Sequence, residues 1–317
     1  MIDAKPPQAE DAAGTLNGAY LELARDWELW NQPLESALQR VTETVAAAVD
    51  TRRVGVWWHD EHQAALVPLD LFDRAGGRHH KDLQLPFERC PSYLAALESG
   101  RIVDAGDAHA DPRTRELSAD YLTPNRVGAV LDATLRSVGR TCGVLCIEHV
   151  GGPRPWTEAE RRFAVSVADL VSQLLDYDRT RASEERYRGY FDQALIGLAM
   201  TSPEKGWLGM NSALCDMLGY TREQLRRMTW VELTHPDDVS ADVAQFDRLL
   251  SGEIDGCHLE KRYIRADGCV IDAELSLSCQ RRPDGSVDYF VALIKDVSHR
   301  KAAESALRRN EALLAEA

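Results

Sequence analysis

The chain has 317 residues, with 37 Lys plus Arg against 51 Asp plus Glu, a formal net charge of −14. Hydrophobic residues make up 44% and charged residues 28%, an ordinary balance for a globular fold. So acidic a balance argues against non-specific nucleic-acid binding and against adhesion to anionic membranes, and no run reaches the ~18 apolar residues that would span a bilayer. At roughly 100–200 residues per domain, the length implies two domains.

Met1 to Gly14 is rich in Ala, Pro, Asp and Glu. It lacks the basic and apolar regions of a signal peptide, so residues 1–15 are expected to form a disordered tail. The seven cysteines (Cys90, Cys142, Cys146, Cys215, Cys257, Cys269 and Cys279) include no C-x-x-C pair. An odd number without an export signal suggests reduced, mostly buried thiols and a cytoplasmic location.

The first block opens with a helical stretch, Leu16 to Val49, in which Leu34, Leu38, Val41, Val45 and Val49 recur every three or four residues. Strands are expected at Val54–Trp58, Ala65–Leu69 and Arg101–Asp104, with a short helix at Pro91–Ser99 between the last two. Asp107 to Asn125 is polar and Pro-punctuated and reads as an ordered loop with a helical turn. Two longer strands follow, Gly128–Arg136 and Thr141–His149, joined by the turn Ser137–Arg140. Thr157 and Glu160 form a capping box. Without Gly or Pro up to Arg188, a helix should run on to Asp192. Phe163, Val167, Leu170, Leu174 and Tyr177 alternate by four and three, first a packing face and then a coiled-coil stripe. This helix marks the domain boundary.

In the second block, short strands are expected at Ile196–Thr201 and Trp207–Met210, then a helix from Asn211 to Leu218 ending at Gly219. Thr221 and Gln224 make another capping box. Pro236 starts a helix with Asp237 and Asp238 at its positive end. Long strands follow at Cys257–Arg265, Cys269–Gln280 and Val287–Lys295. In the middle one, Ala273, Leu275, Leu277 and Cys279 face one way, and Asp272, Glu274, Ser276 and Ser278 the other. After Asp296 the pattern is helical again. Ala303, Leu307, Asn310, Leu314 and Ala317 keep a four-three repeat that is still running at the last residue, so the seam is expected to continue beyond it.

These residues resemble two families. The string from Asn211 to Leu225 (NSALCDMLGYTREQL), His235 to Asp238 (HPDD), Glu260 to Gly268 (EKRYIRADG) and Asp296 to Arg300 (DVSHR) appear in the order and spacing of a PAS domain with its C-terminal motif, over about residues 187–300. Val130 to Arg136, Gly143 to Glu148 (GVLCIE) and Trp156 to Glu160 (WTEAE) resemble the end of a GAF domain spanning about residues 30–176. The resemblance implies the sensory region of a bacterial signalling protein, binding a small ligand and acting as a homodimer on its own downstream output domain. It further implies that Asp296 pairs with Arg300, coupling the last strand to the exit helix. A plain helix-capping role for Asp296 is compatible with this.

Most specialised chemistry of these families is missing from the sequence. There is no H-E-x-x-x-P phosphoacceptor helix, no Gly-Gly-Asp/Glu-Glu-Phe turn, no P-loop and no G-x-S-x-G. The position of a flavin-adduct Cys falls near Trp230. Bilin attachment would need Cys-His, whereas Cys90 precedes Pro91. The cyclic-nucleotide pattern fails after Phe163, where Ala-Val-Ser-Val replaces an acidic pair. His235 and His258 are the candidate haem ligands, but His235 belongs to a helix start and His258 reads as solvent-facing. His79 and His80 read as a surface loop, with no further ligands for a metal. Cys142 and Cys146, four apart in a strand, should share one face. They are candidates for a redox switch or a thiol-dependent enzyme, against a plainer reading as core thiols.

The expectation is therefore an α+β chain of two mixed-topology domains, each a central antiparallel sheet with flanking helices. A tail (1–15), a GAF-like domain with its helices (16–180), a PAS-like domain (181–300) and the start of a signalling coiled coil (301–317) follow in order. No catalytic or metal residue is assigned and the ligand-binding residues stay open. Leu170, Leu174, Tyr177, Leu307 and Leu314 are the expected dimer seam. The output is expected to be a histidine kinase of a two-component system, or alternatively a cyclic-di-GMP cyclase or phosphodiesterase.

Overall fold

The computed structural model describes residues 9–315. They divide into two compact units, up to Ala182 and from Ser183 on.

The first unit opens with three helices, α1 (Ala9–Arg25), α2 (Trp27–Asn31) and α3 (Leu34–Ala48). The single long helix expected from Leu16 is thus broken twice, for local reasons. The Asp26 carboxylate accepts the Glu28 N–H and caps α2, and Pro33 resets the backbone ahead of α3. The tail expected over residues 1–15 is helical from Ala9, while residues 1–8 lie outside the described residues. Strands β1 (Arg53–Asp60), β2 (Ala65–Asp73), β3 (Arg78–His80) and β4 (Leu85–Pro86) follow, then α4 (Pro91–Ser99) and β5 (Ile102–Ala105). Helical turns at Arg115–Leu117 and Ser118–Leu122 lead into α5 (Thr123–Asn125), β6 (Val127–Ser137) and β7 (Arg140–Val150). The sheet order is β3-β2-β1-β7-β6-β5, with β4 also on β2, and every pair is antiparallel. Val138 and Gly139 both take positive φ, the turn geometry that matches strand twist.

Both faces of this sheet are covered, so β6 is buried from Val127 to Leu135. Ala129, Leu131, Ala133 and Leu135 point toward α1, α3 and α6 (Glu158–Gln193). Val130, Val144 and Cys146 point to the opposite face, with Trp57, Tyr93 of α4, and Tyr121 and Leu122. The capping box that starts α6 is formed as expected: Glu160 Oε2 accepts the Thr157 N–H at 2.7 Å, and Thr157 Oγ1 accepts the Glu160 N–H at 3.2 Å.

The second unit carries β8 (Gly197–Thr201), β9 (Trp207–Met210), α7 (Ser212–Leu218), α8 (Arg222–Leu225), α9 (Trp230–Leu233) and α10 (Pro236–Ser251). Then come β10 (Gly256–Ile264), β11 (Val270–Arg281), β12 (Val287–Asp296) and α11 (Ser298–Ala315). Its antiparallel sheet has the order β10-β11-β12-β8-β9. Asn211 is fully buried and ties helix to sheet: its side-chain oxygen accepts from Leu214 N and Leu198 N, and its amide donates to Ile196 O. At the start of α10, Asp238 holds Arg262 of β10 at 2.7 and 3.0 Å. That hydrogen bonding lowers the Asp238 carboxyl to about 2. Ile271, Ala273, Leu275 and Leu277 pack on one face of β11. The chain thus has the α+β class expected from the sequence.

Candidate functional site

The covered lower face of the first sheet holds a cavity of about 20 Å3, room for one water-sized group. Its walls are Trp57, Leu85, Tyr93, Tyr121, Val130 and Val144 among others, and two carboxylates, Asp132 and Glu148, lie in it. The strand register explains why they meet. Val130 pairs with Glu148 and Asp132 with Cys146, so the two acids are diagonal neighbours on one face. Both are essentially unexposed.

Each carboxylate has one committed oxygen. Tyr93 Oη donates to Asp132 Oδ2 at 2.6 Å, and Tyr121 Oη donates to Glu148 Oε1. The buried Arg53 guanidinium lies 3.3 Å from Glu148 Oε2 and donates to Tyr121 Oη at 3.4 Å. Asp132 Oδ1 and Glu148 Oε2 accept no hydrogen bond in the described structure. Burial raises the Asp132 carboxyl to about 7, Tyr93's bond opposing and the Glu148 charge adding. Burial also raises Glu148, against the pull of Arg53 and Tyr121. Burial and the facing acids push Tyr93, Tyr121 and the Cys146 thiol well above their ordinary ranges, so these stay neutral.

The second unit has its own cavity, also about 20 Å3, lined by Trp207, Trp230, Phe246, Tyr263, Leu275 and Ile294 among others. A charged pair sits in it. Lys261 Nζ donates to Asp242 and, at 3.0 Å, to Thr234 Oγ1. It lies 4.9 Å from the Trp230 ring centroid and 4.3 Å from that of Tyr263. Burial alone would lower the Lys261 ammonium; facing Tyr263 and Asp242 outweigh it and raise its pKa. Here cation and anion satisfy one another.

The residues singled out from the sequence fall elsewhere. Leu170 and Leu174 are buried in the first unit's own core, so their helical spacing is used against the sheet rather than left for a second chain. Tyr177 is half exposed and meets Trp30 edge-on at 5.8 Å. Leu307 is exposed, and Leu314 lies outside the residues whose side chains are described. Cys142 and Cys146 do not share a face. The β6–β7 register slips between Leu135 and Arg136, leaving Cys142 in a bulge; it packs on the helical side, whereas Cys146 lines the cavity. The juxtaposition a Cys142–Cys146 switch requires is therefore lacking. His235 caps α10 through Nδ1, and exposed His258 bonds Ser276 at 2.7 Å; neither lines a described cavity. His79 is more than a surface loop residue, because its Nδ1 lies 2.9 Å from the buried Asp70.

The expected Asp296–Arg300 pair is replaced by a wider contact. Asp296 Oδ1 accepts the Ser298 N–H at 2.8 Å and so caps α11. Arg300 instead reaches Glu274 at 3.5 Å and Glu260 at 3.6 Å. Lys301 bonds Glu260 at 2.8 Å and Asp272 at 3.0 Å. One helical turn of basic residues thus lies over the acidic outer face of β10 and β11.

Comparison with known proteins bears on both units. Residues 33–175 match the family described as GAF domain, and residues 208–294 the family described as PAS fold. The chain is 41% identical over 122 residues to the probable diguanylate cyclase DgcE of Escherichia coli (strain K12), 38% of this chain and 11% of that protein. It is 25% identical over 128 residues to the sensor histidine kinase TmoS of Ectopseudomonas mendocina, 40% of this chain and 13% of that protein. Among solved structures, the GAF domain of an Acinetobacter phosphoenolpyruvate-protein phosphotransferase covers 55% of this chain and 97% of its own, with 16% identity and a TM-score of 0.43. The chain thus spans about a tenth of the two curated relatives. Among the described residues, no helix is long and apolar enough to cross a membrane.

Proposed function

We propose that this GAF–PAS chain is the sensory input module of a bacterial cytoplasmic signalling protein, and that the first unit does the sensing. The observation that carries this is the pair of cavities. In the first, two buried carboxylate oxygens accept no hydrogen bond, and Arg53 balances the charge of Glu148 alone; in the second, the charged groups Lys261 and Asp242 bond each other and Thr234, and the unpartnered atom is the neutral Trp207 indole N–H. A buried polar atom without a partner is costly, and a ligand that supplies one gains that energy on binding. Ligand binding would bias the packing of α6, and the ion cluster of Arg300 and Lys301 on β10 and β11 would pass the change to α11. A homodimer pairing through the exposed Leu307 stripe would present that change to an output domain.

The output is a histidine kinase or a cyclic-dinucleotide enzyme, the activities named in the two relatives. The test is made in the full-length protein, which is assayed both for autophosphorylation and for cyclic-dinucleotide turnover. Asp132→Asn and Val144→Leu, two changes to the cavity lining, should each shift the output about fivefold or more, the lower range of ordinary coupling energies. Output equal to the parent in both variants would overturn the assignment of sensing to this unit.

A further inference from the structure

The charge of the first cavity is unbalanced. Two carboxylates, Asp132 and Glu148, face one guanidinium, Arg53, which is already engaged with Glu148 and Tyr121. The other titratable groups lining the cavity are Tyr93 from α4, Tyr121 from the helical turn, and Cys146 from β7, all held neutral by burial; Cys90, buried on the same face, is likewise raised by burial, to about 11. The site is therefore one positive charge short whenever both acids are ionised. At the carboxylates the atoms that accept no hydrogen bond are Asp132 Oδ1 and Glu148 Oε2, the latter ion-paired with Arg53 at 3.3 Å; the cavity wall also carries an unpartnered donor, the Trp57 indole N–H. The Tyr93 and Tyr121 hydroxyls keep their protons, point them at the carboxylates, and have lone pairs on the oxygens as well. Trp57 and Tyr121 meet edge-on at 5.7 Å and add aromatic surface, which attracts cations.

Resting on the reading of this cavity as the sensing site, we propose that its ligand is a small ammonium-type cation, either ammonium itself or a short primary alkylammonium. A group about the size of water fits the volume. Its N–H donors answer the unpartnered oxygens, and its charge completes the balance. A proton on Asp132 supplies the same missing charge, so proton and ligand compete. With the Asp132 carboxyl at about 7, affinity should rise about tenfold from pH 6 to pH 8 for an amine that stays protonated throughout.

The intact chain is titrated with 15N-labelled ammonium chloride, methylammonium chloride and potassium chloride at constant ionic strength, followed by calorimetry and by the nitrogen signal of bound ammonium. The expected result is saturable binding of one or both amines, at least about tenfold tighter than potassium, with the stated pH dependence. Which amine binds more tightly tells free ammonium from an alkylated ligand. Asp132→Asn should weaken binding at least tenfold and abolish its pH dependence, and Glu148→Gln should weaken it similarly. Asp132→Asn removes a buried charge that has no cationic partner and should spare the fold, whereas Glu148→Gln leaves the buried Arg53 without its counter-ion and should cost stability; circular dichroism checks both, and Asp132→Asn carries the test. No amine binding, potassium binding as tightly, or unchanged affinity in both variants would each overturn the proposal. If amines bind but the full-length output does not respond, the site stands and the sensory reading falls. If no amine binds while Val144→Leu still shifts output, the reading stands and this ligand class falls.

Discussion

Replacing Lys261 by Met tests how the second unit keeps a buried charge. The Lys261 and Asp242 side chains are 2% and 3% exposed. Met keeps the length and apolar stem but removes the ammonium, leaving Asp242 with only the Thr234 hydroxyl at 3.4 Å. Breaking a buried pair from one side typically costs about 3–5 kcal/mol. Lys261→Met should therefore destabilise the unit by about 3–5 kcal/mol at pH 7. The double variant Lys261→Met with Asp242→Leu removes both charges and should recover most of the loss. Hydrogen exchange of the β10 and β11 amides in the intact chain reads this unit's opening free energy directly. A single variant within about 1 kcal/mol of the parent at pH 7, or a double variant no better than the single, would refute the reasoning.

Three further outcomes are expected. Asp132 binds its proton more tightly in the folded state, with its carboxyl raised to about 7; the first unit should lose stability as pH rises from about 4 to 7, by up to about 4 kcal/mol, and then level off. Asp132→Asn should flatten that slope in denaturant melts, and an unchanged slope would assign it to another group. Gly143→Ala would put a Cβ 2.2 Å from the Trp57 carbonyl oxygen on β1, so it should prise the central strands apart and cost at least about 1–3 kcal/mol; a melting midpoint equal to the parent's would contradict this. Lys301→Ala should cost under about 1 kcal/mol because its ion pairs are exposed, yet speed hydrogen exchange in the first turns of α11; unchanged exchange would show that the cluster does not hold the helix.

Much of this architecture was legible because it follows local rules. The Thr157–Glu160 and Thr221–Gln224 boxes, Pro236 at a helix start and the alternation of β11 each fix an element from its own residues. What escaped depends on the partner strand. Cys142 and Cys146 have the right spacing for one face, but a bulge that the β6–β7 pairing alone dictates turns Cys142 away. Leu170 and Leu174 illustrate the same limit. A four-three repeat says which residues share a helix face, not whether a sheet or a second chain covers it, and here the sheet does. Asp296 and Arg300 lie close in sequence, yet the acids that Arg300 meets come from β10 and β11.

The carboxylates of the first cavity did leave a trace in the sequence. Asp132 interrupts an otherwise apolar run from Val127 to Ala133, and Glu148 ends the apolar stretch that begins at Val144. An acid inside a strand covered on both faces must be paired, protonated or waiting for a partner. Tyr93 and Tyr121 satisfy half of each acid, and Arg53 balances one charge of the two. Had the site been built for stability alone, an apolar pair of similar volume would have served at least as well. The residual penalty falls on the empty, ionised state and is relieved by a proton or a cation, so the cavity has a free-energy difference between its two states. A ligand can shift a conformational equilibrium only by such a difference, and in the second unit's cavity Lys261 and Asp242 already neutralise each other, leaving no uncompensated charge there and the neutral Trp207 indole N–H as its unpartnered group.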